Sequence, residues 1–124
     1  MDLMLTGKRV IVAGASRGIG RAIAETFLHE GARVAICARD ATTLEATAKE
    51  LAEHGEVHHR CTDMADPPGP ATFVEWAAEH LDGIDIVVSN VSAQAGGDYG
   101  ASFRVDIESA NSLIRAALSV MSDH

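Results

Sequence analysis

The tightest constraint on the fold is a change of hydrophobic period near the N-terminus. Val10-Ile11-Val12-Ala13 is an unbroken apolar run, the pattern of a strand buried on both faces. Gly14-Ala15-Ser16-Arg17-Gly18-Ile19-Gly20 follows at once, and Ile19, Ala22, Ile23 and Phe27 then recur at helical spacing. Such a chain must fold as strand, glycine-rich turn and helix.

The same alternation runs through the rest of the chain. Lys8 to Ala13 reads as the first strand and Gly18 to His29 as a helix that ends at Gly31, a favoured residue just past a helix end. Arg33 to Ala38 is the second strand. Asp40 or Thr42 can cap the next helix, which carries Leu44, Ala48, Leu51 and Ala52 and ends at Gly55. Glu56 to Cys61 is a third, weaker strand, followed by a loop at Pro67, Pro68, Gly69 and Pro70. Phe73, Trp76, Ala77 and Leu81 mark a helix face, and Ile84 to Ser89 a fourth strand. Ser92 to Phe103 reads as a glycine-rich loop. Ile107 to Met121 closes the chain as a helix with Leu113, Ile114, Ala117, Leu118 and Met121 on one side.

Apolar strands alternating with amphipathic helices predict an α/β fold, a parallel sheet with helices on both faces. Right-handed crossovers give the strand order 3-2-1-4. No linker or repeat divides residues 1–124, so one domain is expected. Strand four would lie at an edge, yet Ile84-Asp85-Ile86-Val87-Val88 lacks the lysines, prolines or bulges that protect edges. It reads as an interior strand whose neighbour is absent. Self-association through that edge, or through the apolar face of the closing helix, is the expected consequence.

Composition excludes several function classes. Ten basic residues against eighteen acidic ones give a net charge of −8, with no basic cluster, so neither a nucleic acid nor an anionic membrane is an expected partner. No apolar run approaches the roughly 20 residues that span a bilayer, and the N-terminus lacks a signal-peptide pattern. A cytoplasmic location is expected, with Cys37 and Cys61 as two buried thiols. The six histidines form no HExxH or Cys/His ligand pattern, so no metal is expected.

A glycine-rich turn between a first strand and a helix is the context that binds a dinucleotide pyrophosphate, because glycines admit the phosphates to the backbone and the helix start supplies free N–H donors. The spacing here is G-x-x-x-G-x-G. In dinucleotide folds the end of the second strand reads the ribose 2′-position: an acid there suits NAD, an arginine the 2′-phosphate of NADP. Ala38 leaves no acid at the strand end, and Arg39 follows it, with Arg17 as a second cation for the same phosphate. These residues favour NADP(H). Asp40, one residue later, keeps NAD(H) open as the alternative.

Thr6-Gly7-Lys8, Gly14 to Gly20, Gly31-Ala32-Arg33-Val34, Cys61-Thr62-Asp63-Met64 and Gly83 to Asn90 occur in an order and spacing that resemble the N-terminal half of a short-chain dehydrogenase/reductase, close in style to 3-oxoacyl-carrier-protein reductases. The resemblance covers the whole chain. It implies a Rossmann-like fold, truncated after the fourth strand and its helix, and hence an incomplete dinucleotide-binding domain over residues 1–124. It also implies roles. Gly14, Ser16, Arg17, Gly18, Ile19 and Gly20 would line the pyrophosphate, and Arg39 would meet the 2′-phosphate. Asp63 would bond the adenine amino group with Met64 beside it, and Asn90 would lie under the adenosine ribose. Read without the resemblance, Asp63 is a turn or helix cap and Asn90 a turn residue.

The chain departs from the family pattern in three places. Ser89-Asn90-Val91-Ser92 replaces the usual Asn-Asn-Ala-Gly, and Asp106 stands where an asparagine of the catalytic tetrad is common. The family's Tyr-x-x-x-Lys pair is missing: the single tyrosine, Tyr99, is followed four residues on by Phe103, and the lysines are Lys8 and Lys49. The expectation is therefore the NADP(H)-binding portion of an oxidoreductase that transfers hydride between NADP(H) and a carbonyl or alcohol. The alternative is a non-catalytic nucleotide-binding or assembly module.

Overall fold

The structure, a computed structural model, describes residues 4–16, 18–90 and 112–121. Its elements are β1 (Arg9–Ala13), α1 (Gly18–His29), β2 (Arg33–Ala38), α2 (Ala41–Leu51), β3 (Val57–Cys61), α3 (Gly69–Leu81) and β4 (Ile86–Ser89), then a helix over residues 112–121, α4. The sheet is parallel throughout, with the order β3-β2-β1-β4 that the alternating pattern predicts. Val10 pairs with Val34 on one side and Ile86 on the other, and Ala13 with Cys37 and Ser89.

Two cores follow from strand alternation. Val10, Val12, Val34 and Ile36 face α1 and α2, where they meet Ala24, Leu28, Leu44, Ala48 and Leu51. Ile11, Ala13, Ala35 and Cys37 face the other way, onto Phe73, Val74, Ala77 and Leu81 of α3 and Leu113 and Ala117 of α4. The central strand β1 is apolar on both sides because it is covered on both sides.

Several boundaries differ from the sequence reading. The Pro67–Pro70 stretch is not all loop: Gly69 and Pro70 are buried and open α3. A proline in the first turn lacks only an N–H that would have had no helical partner. Gly69 is required there, since a Cβ would lie 2.2 Å from the Asp63 carbonyl oxygen. The fourth strand begins at Ile86 rather than Ile84. Ile84 turns into the α3 core, and Asp85 instead engages Arg9. Asp40, not Thr42, caps α2: its Oδ1 accepts from the N–H groups of Thr42 and Thr43 at 3.0 and 3.3 Å.

The expectation of two buried thiols holds for Cys37 alone, whose burial pushes the thiol up to about 12. Cys61 is exposed, because it ends the outermost strand, and its Sγ donates to the Arg39 carbonyl at 3.1 Å. The closing helix also divides differently. Leu113 and Ala117 are buried, whereas Ile114 and Leu118 are 45% and 56% exposed. The part of the predicted helix before residue 112 lies outside the described residues.

The amino edge of the sheet is held by ion pairs. Arg9 meets both carboxylate oxygens of Asp85 at 2.9 and 3.0 Å and also donates to the Asp82 carbonyl. Arg33 joins Glu56 at the start of β3 to the Leu81 carbonyl at the end of α3. No helix among the described residues is long and apolar enough to cross a membrane.

Candidate functional site

The opposite, carboxyl edge of the sheet gathers the glycine-rich turn and the ends of β2, β3 and β4. Open α/β sheets place ligands in the crevice at this edge, where the strand order reverses. Here the reversal falls at β1, which is flanked by β2 and β4.

The turn leaves β1 at Gly14, whose φ of +79° is open to glycine without strain. The N–H groups of Gly14 and Ala15 both donate to the Cys37 carbonyl, at 3.0 and 3.2 Å, fastening the turn to the end of β2. From the other side, the Asn90 N–H donates to the Ala13 carbonyl at 2.9 Å, and Asn90 Nδ2 to the Gly14 carbonyl at 3.3 Å. A Cβ on Gly20 would lie 2.0 Å from that Gly14 oxygen and 2.9 Å from Asn90 Nδ2. Only glycine lets the first turn of α1 approach β1 so closely. A third fastening comes from α2, where the Thr47 hydroxyl donates to the Ser16 carbonyl at 2.6 Å.

The outer side of the turn is open. Gly18 and Ile19 are exposed, Ile19 to 71%. The first turn of α1 carries no acidic side chain, so its N–H groups and positive dipole end face an anion without a competing carboxylate. A pyrophosphate therefore fits this turn: the start of α1 opens at the exposed Gly18 and Ile19, and the backbone behind it is anchored from three elements.

The flanking residues also assemble. Arg39 is exposed immediately beyond β2, and its guanidinium makes no hydrogen bond or ion pair among the described residues. The Thr62 N–H donates to the Ala38 carbonyl at 2.9 Å, which carries the β3 exit alongside Arg39. Asp63 is exposed there, and its Oδ1 accepts from the Ala65 N–H at 2.9 Å, so it does serve as a turn cap. Met64 beside it is buried against α3. The structure thus brings Gly14, Ser16, Gly18, Ile19, Gly20, Arg39, Asp63, Met64 and Asn90 to one edge. Arg17 and Asp106 lie outside the described residues, as do Tyr99 and Phe103.

Thr47 went unassigned in the sequence reading, although a signal was present. It stands at i+3 from Leu44 on the buried stripe of α2, and a polar residue on an apolar stripe needs an internal partner. It is 2% exposed, and the Ser16 carbonyl is that partner.

Comparison with known proteins agrees with this geometry. The chain is 41% identical over 91 residues to the uncharacterized oxidoreductase YvrD of Bacillus subtilis, a match covering 73% of this chain and 34% of that protein. It is 38% identical over 97 residues to the rhamnolipids biosynthesis 3-oxoacyl-[acyl-carrier-protein] reductase of Pseudomonas aeruginosa, covering 78% of this chain and 36% of that one. Among solved structures, the Pseudomonas aeruginosa RhlG/NADP active-site complex superimposes with a TM-score of 0.84 at 32% identity, covering 94% of this chain and 47% of that one. L-sorbose reductase from Gluconobacter frateurii, complexed with NADPH and L-sorbose, gives 0.85 at 31% identity, covering 98% and 50%. The chain thus spans about a third of these curated relatives and about half of these solved structures. The family model for short chain dehydrogenase matches residues 8–124, and with the anchored glycine turn at the strand-order reversal this places the chain in the short-chain dehydrogenase family.

Proposed function

We propose that the carboxyl-edge site binds NADP(H), and that this chain is the dinucleotide-binding domain of an oxidoreductase acting between NADP(H) and a carbonyl or alcohol. The observation that carries the reading is the glycine turn at the start of α1, anchored to β2, β4 and α2 while its outer side stays open. In this reading Gly14, Ser16, Arg17, Gly18, Ile19 and Gly20 hold the pyrophosphate. Asp63 accepts from the adenine amino group with Met64 packed beneath, and Asn90 supports the adenosine ribose. Asp106 takes the place of the family's tetrad asparagine. When bound, the nicotinamide supplies or accepts the hydride.

The choice of NADP(H) over NAD(H) rests on the β2 exit. Arg39 presents an uncommitted guanidinium where a 2′-phosphate would lie. Asp40, the residue that could favour NAD(H), spends both carboxylate oxygens on capping α2: Oδ1 takes two backbone N–H groups and Oδ2 the Thr43 hydroxyl. Two structural relatives bound to NADP or NADPH accord with this reading.

A reducing, cytoplasmic setting suits the free thiols Cys37 and Cys61. Self-association is part of the proposal, because among the described residues β4 pairs on one side only and Ile114 and Leu118 are exposed on α4. The test is fluorescence titration of the purified chain with NADPH and NADH, beside an assay of carbonyl reduction. Saturable binding with NADPH preferred supports the reading. Binding of neither nucleotide removes it, and turnover by these 124 residues alone would remove the reading of the chain as only the cofactor-binding portion.

A further inference from the structure

At the amino edge, the pole opposite the glycine turn, three ligand-type side chains converge that no local sequence pattern joins. Glu25 and His29 are one turn apart on α1 and share a face. His54 comes from the turn after α2. Glu25 Oε1 lies 3.4 Å from His54 Nε2 and 3.8 Å from His29 Nε2, and the two imidazole rings are 4.5 Å apart. The three ligand atoms all fall within 4.8 Å of one another.

We propose that Glu25, His29 and His54 form a binding site for a zinc-type divalent cation. Two imidazole nitrogens and one carboxylate oxygen are a donor set that zinc accepts, leaving a fourth position for water. Tetrahedral zinc, with bonds of about 2.0–2.1 Å, sets its ligand atoms about 3.3 Å apart. The two carboxylate–imidazole separations are therefore close to the required edges, and small side-chain rotations complete the third.

The backbone holds this arrangement without help from an ion. The His54 N–H donates to the Leu51 carbonyl at 2.9 Å, and Leu51 is buried in the same core as Leu28 of α1. One turn earlier along the same α1 face, Arg21 pairs with Glu50 of α2. The stripe Arg21, Glu25, His29 thus runs beside Glu50 and His54, and a cation would staple the end of α1 to the end of α2. The sequence expectation of no metal rested on local spacing, which cannot register His54 beside His29 because the intervening strand and helix separate them.

The test is calorimetric titration of the full chain with zinc chloride, with cobalt(II) as a spectroscopic substitute. The proposal expects one zinc per chain, a visible cobalt band of tetrahedral intensity, and a thermal midpoint that rises with zinc. The double variant His29→Gln, His54→Gln alters only partly exposed side chains. It should bind zinc at least tenfold more weakly and lose the thermal shift, while NADPH titrates it as it does the parent. Glu25→Gln should weaken zinc less than the double variant does. No zinc binding by the parent, or equal binding by parent and double variant, overturns the site.

Discussion

Asn90 reaches from the end of β4 to the Gly14 carbonyl, with Nδ2 3.3 Å from the oxygen, while its own N–H bonds the Ala13 carbonyl. One residue thereby ties the fourth strand to the first carbonyl of the glycine turn. That same oxygen is the atom a Cβ on Gly20 would strike at 2.0 Å. The turn, the helix and the strand end therefore form one rigid unit, and the predictions about binding follow from it.

Gly20→Ala should be the most damaging small substitution in the turn. The added methyl meets backbone rather than a movable side chain, so α1 must shift away from β1. Overpacking of this kind costs about 1–3 kcal/mol. Chemical denaturation should show that loss, and NADPH titration should show binding weakened beyond what the stability change explains, since the helix N-terminus has moved.

Thr47→Val keeps the shape of the side chain and removes the hydroxyl that holds the Ser16 carbonyl. A neutral hydrogen bond of this kind contributes about 1 kcal/mol. The variant should unfold at lower denaturant and bind NADPH less tightly, and Thr47→Ser should restore both. Unchanged nucleotide affinity in Thr47→Val would mean that α2 does not position the turn.

Arg39→Ala should weaken NADPH much more than NADH, because only the former carries a 2′-phosphate. A charge-assisted contact contributes about 1.5–3 kcal/mol, or roughly tenfold to a hundredfold in affinity. Equal losses for the two nucleotides would assign Arg39 no part in reading that phosphate.

Acid should destabilise the fold chiefly through Asp85, whose carboxyl is the more strongly shifted. Hydrogen bonds from the Arg9 side chain, and then its backbone N–H, hold the Asp85 carboxyl well below the usual carboxylate range. In the unfolded chain the group returns to about 3.9, so below that pH the unfolded state binds the proton that the folded state refuses. Stability from this pair is complete above about pH 4 and falls as pH drops toward the folded value. Glu56, lowered by Arg33 and then by His58, adds a loss of the same sign. Asp85→Asn should be less stable at neutral pH and show a flatter acid limb in thermal melts.

Ile114→Glu combined with Leu118→Glu should reduce self-association measured by sedimentation velocity, since both side chains are exposed on α4 while Leu113 and Ala117 carry its packing. A parent chain that sediments as a monomer at high concentration would dispose of the self-association reading.

Much of this was legible in the chain itself because it depends on local period and local chemistry. The apolar run at Val10 to Ala13 specifies a strand covered on both sides, and α1 spans Gly18–His29 as its spacing predicts. The strand order follows from handed crossovers in a doubly wound sheet whose first strand carries the glycine turn. Arg39 could be placed beside the turn because it directly follows β2, and Asp63 because the family resemblance implies it. Side-chain partners between elements could not be read in this way. Cys61 looked buried because its strand is apolar in part, but edge position decides exposure, and β3 is outermost. The partner of Thr47, the Ser16 carbonyl, lies 31 residues away and meets it only in the fold.

The amino-acid sequence by itself therefore determined the alternation of elements, the glycine turn and the cation at the end of β2, since each is written in neighbouring residues. Only the tertiary structure decided which distant groups share an atom or a space: Asn90 and Gly20 at the Gly14 carbonyl, Asp40 committed to a helix cap, and Glu25, His29 and His54 at the far pole. Those meetings depend on how helices pack across a sheet, and a few ångströms of packing geometry have no signature in the spacing of residues along a chain.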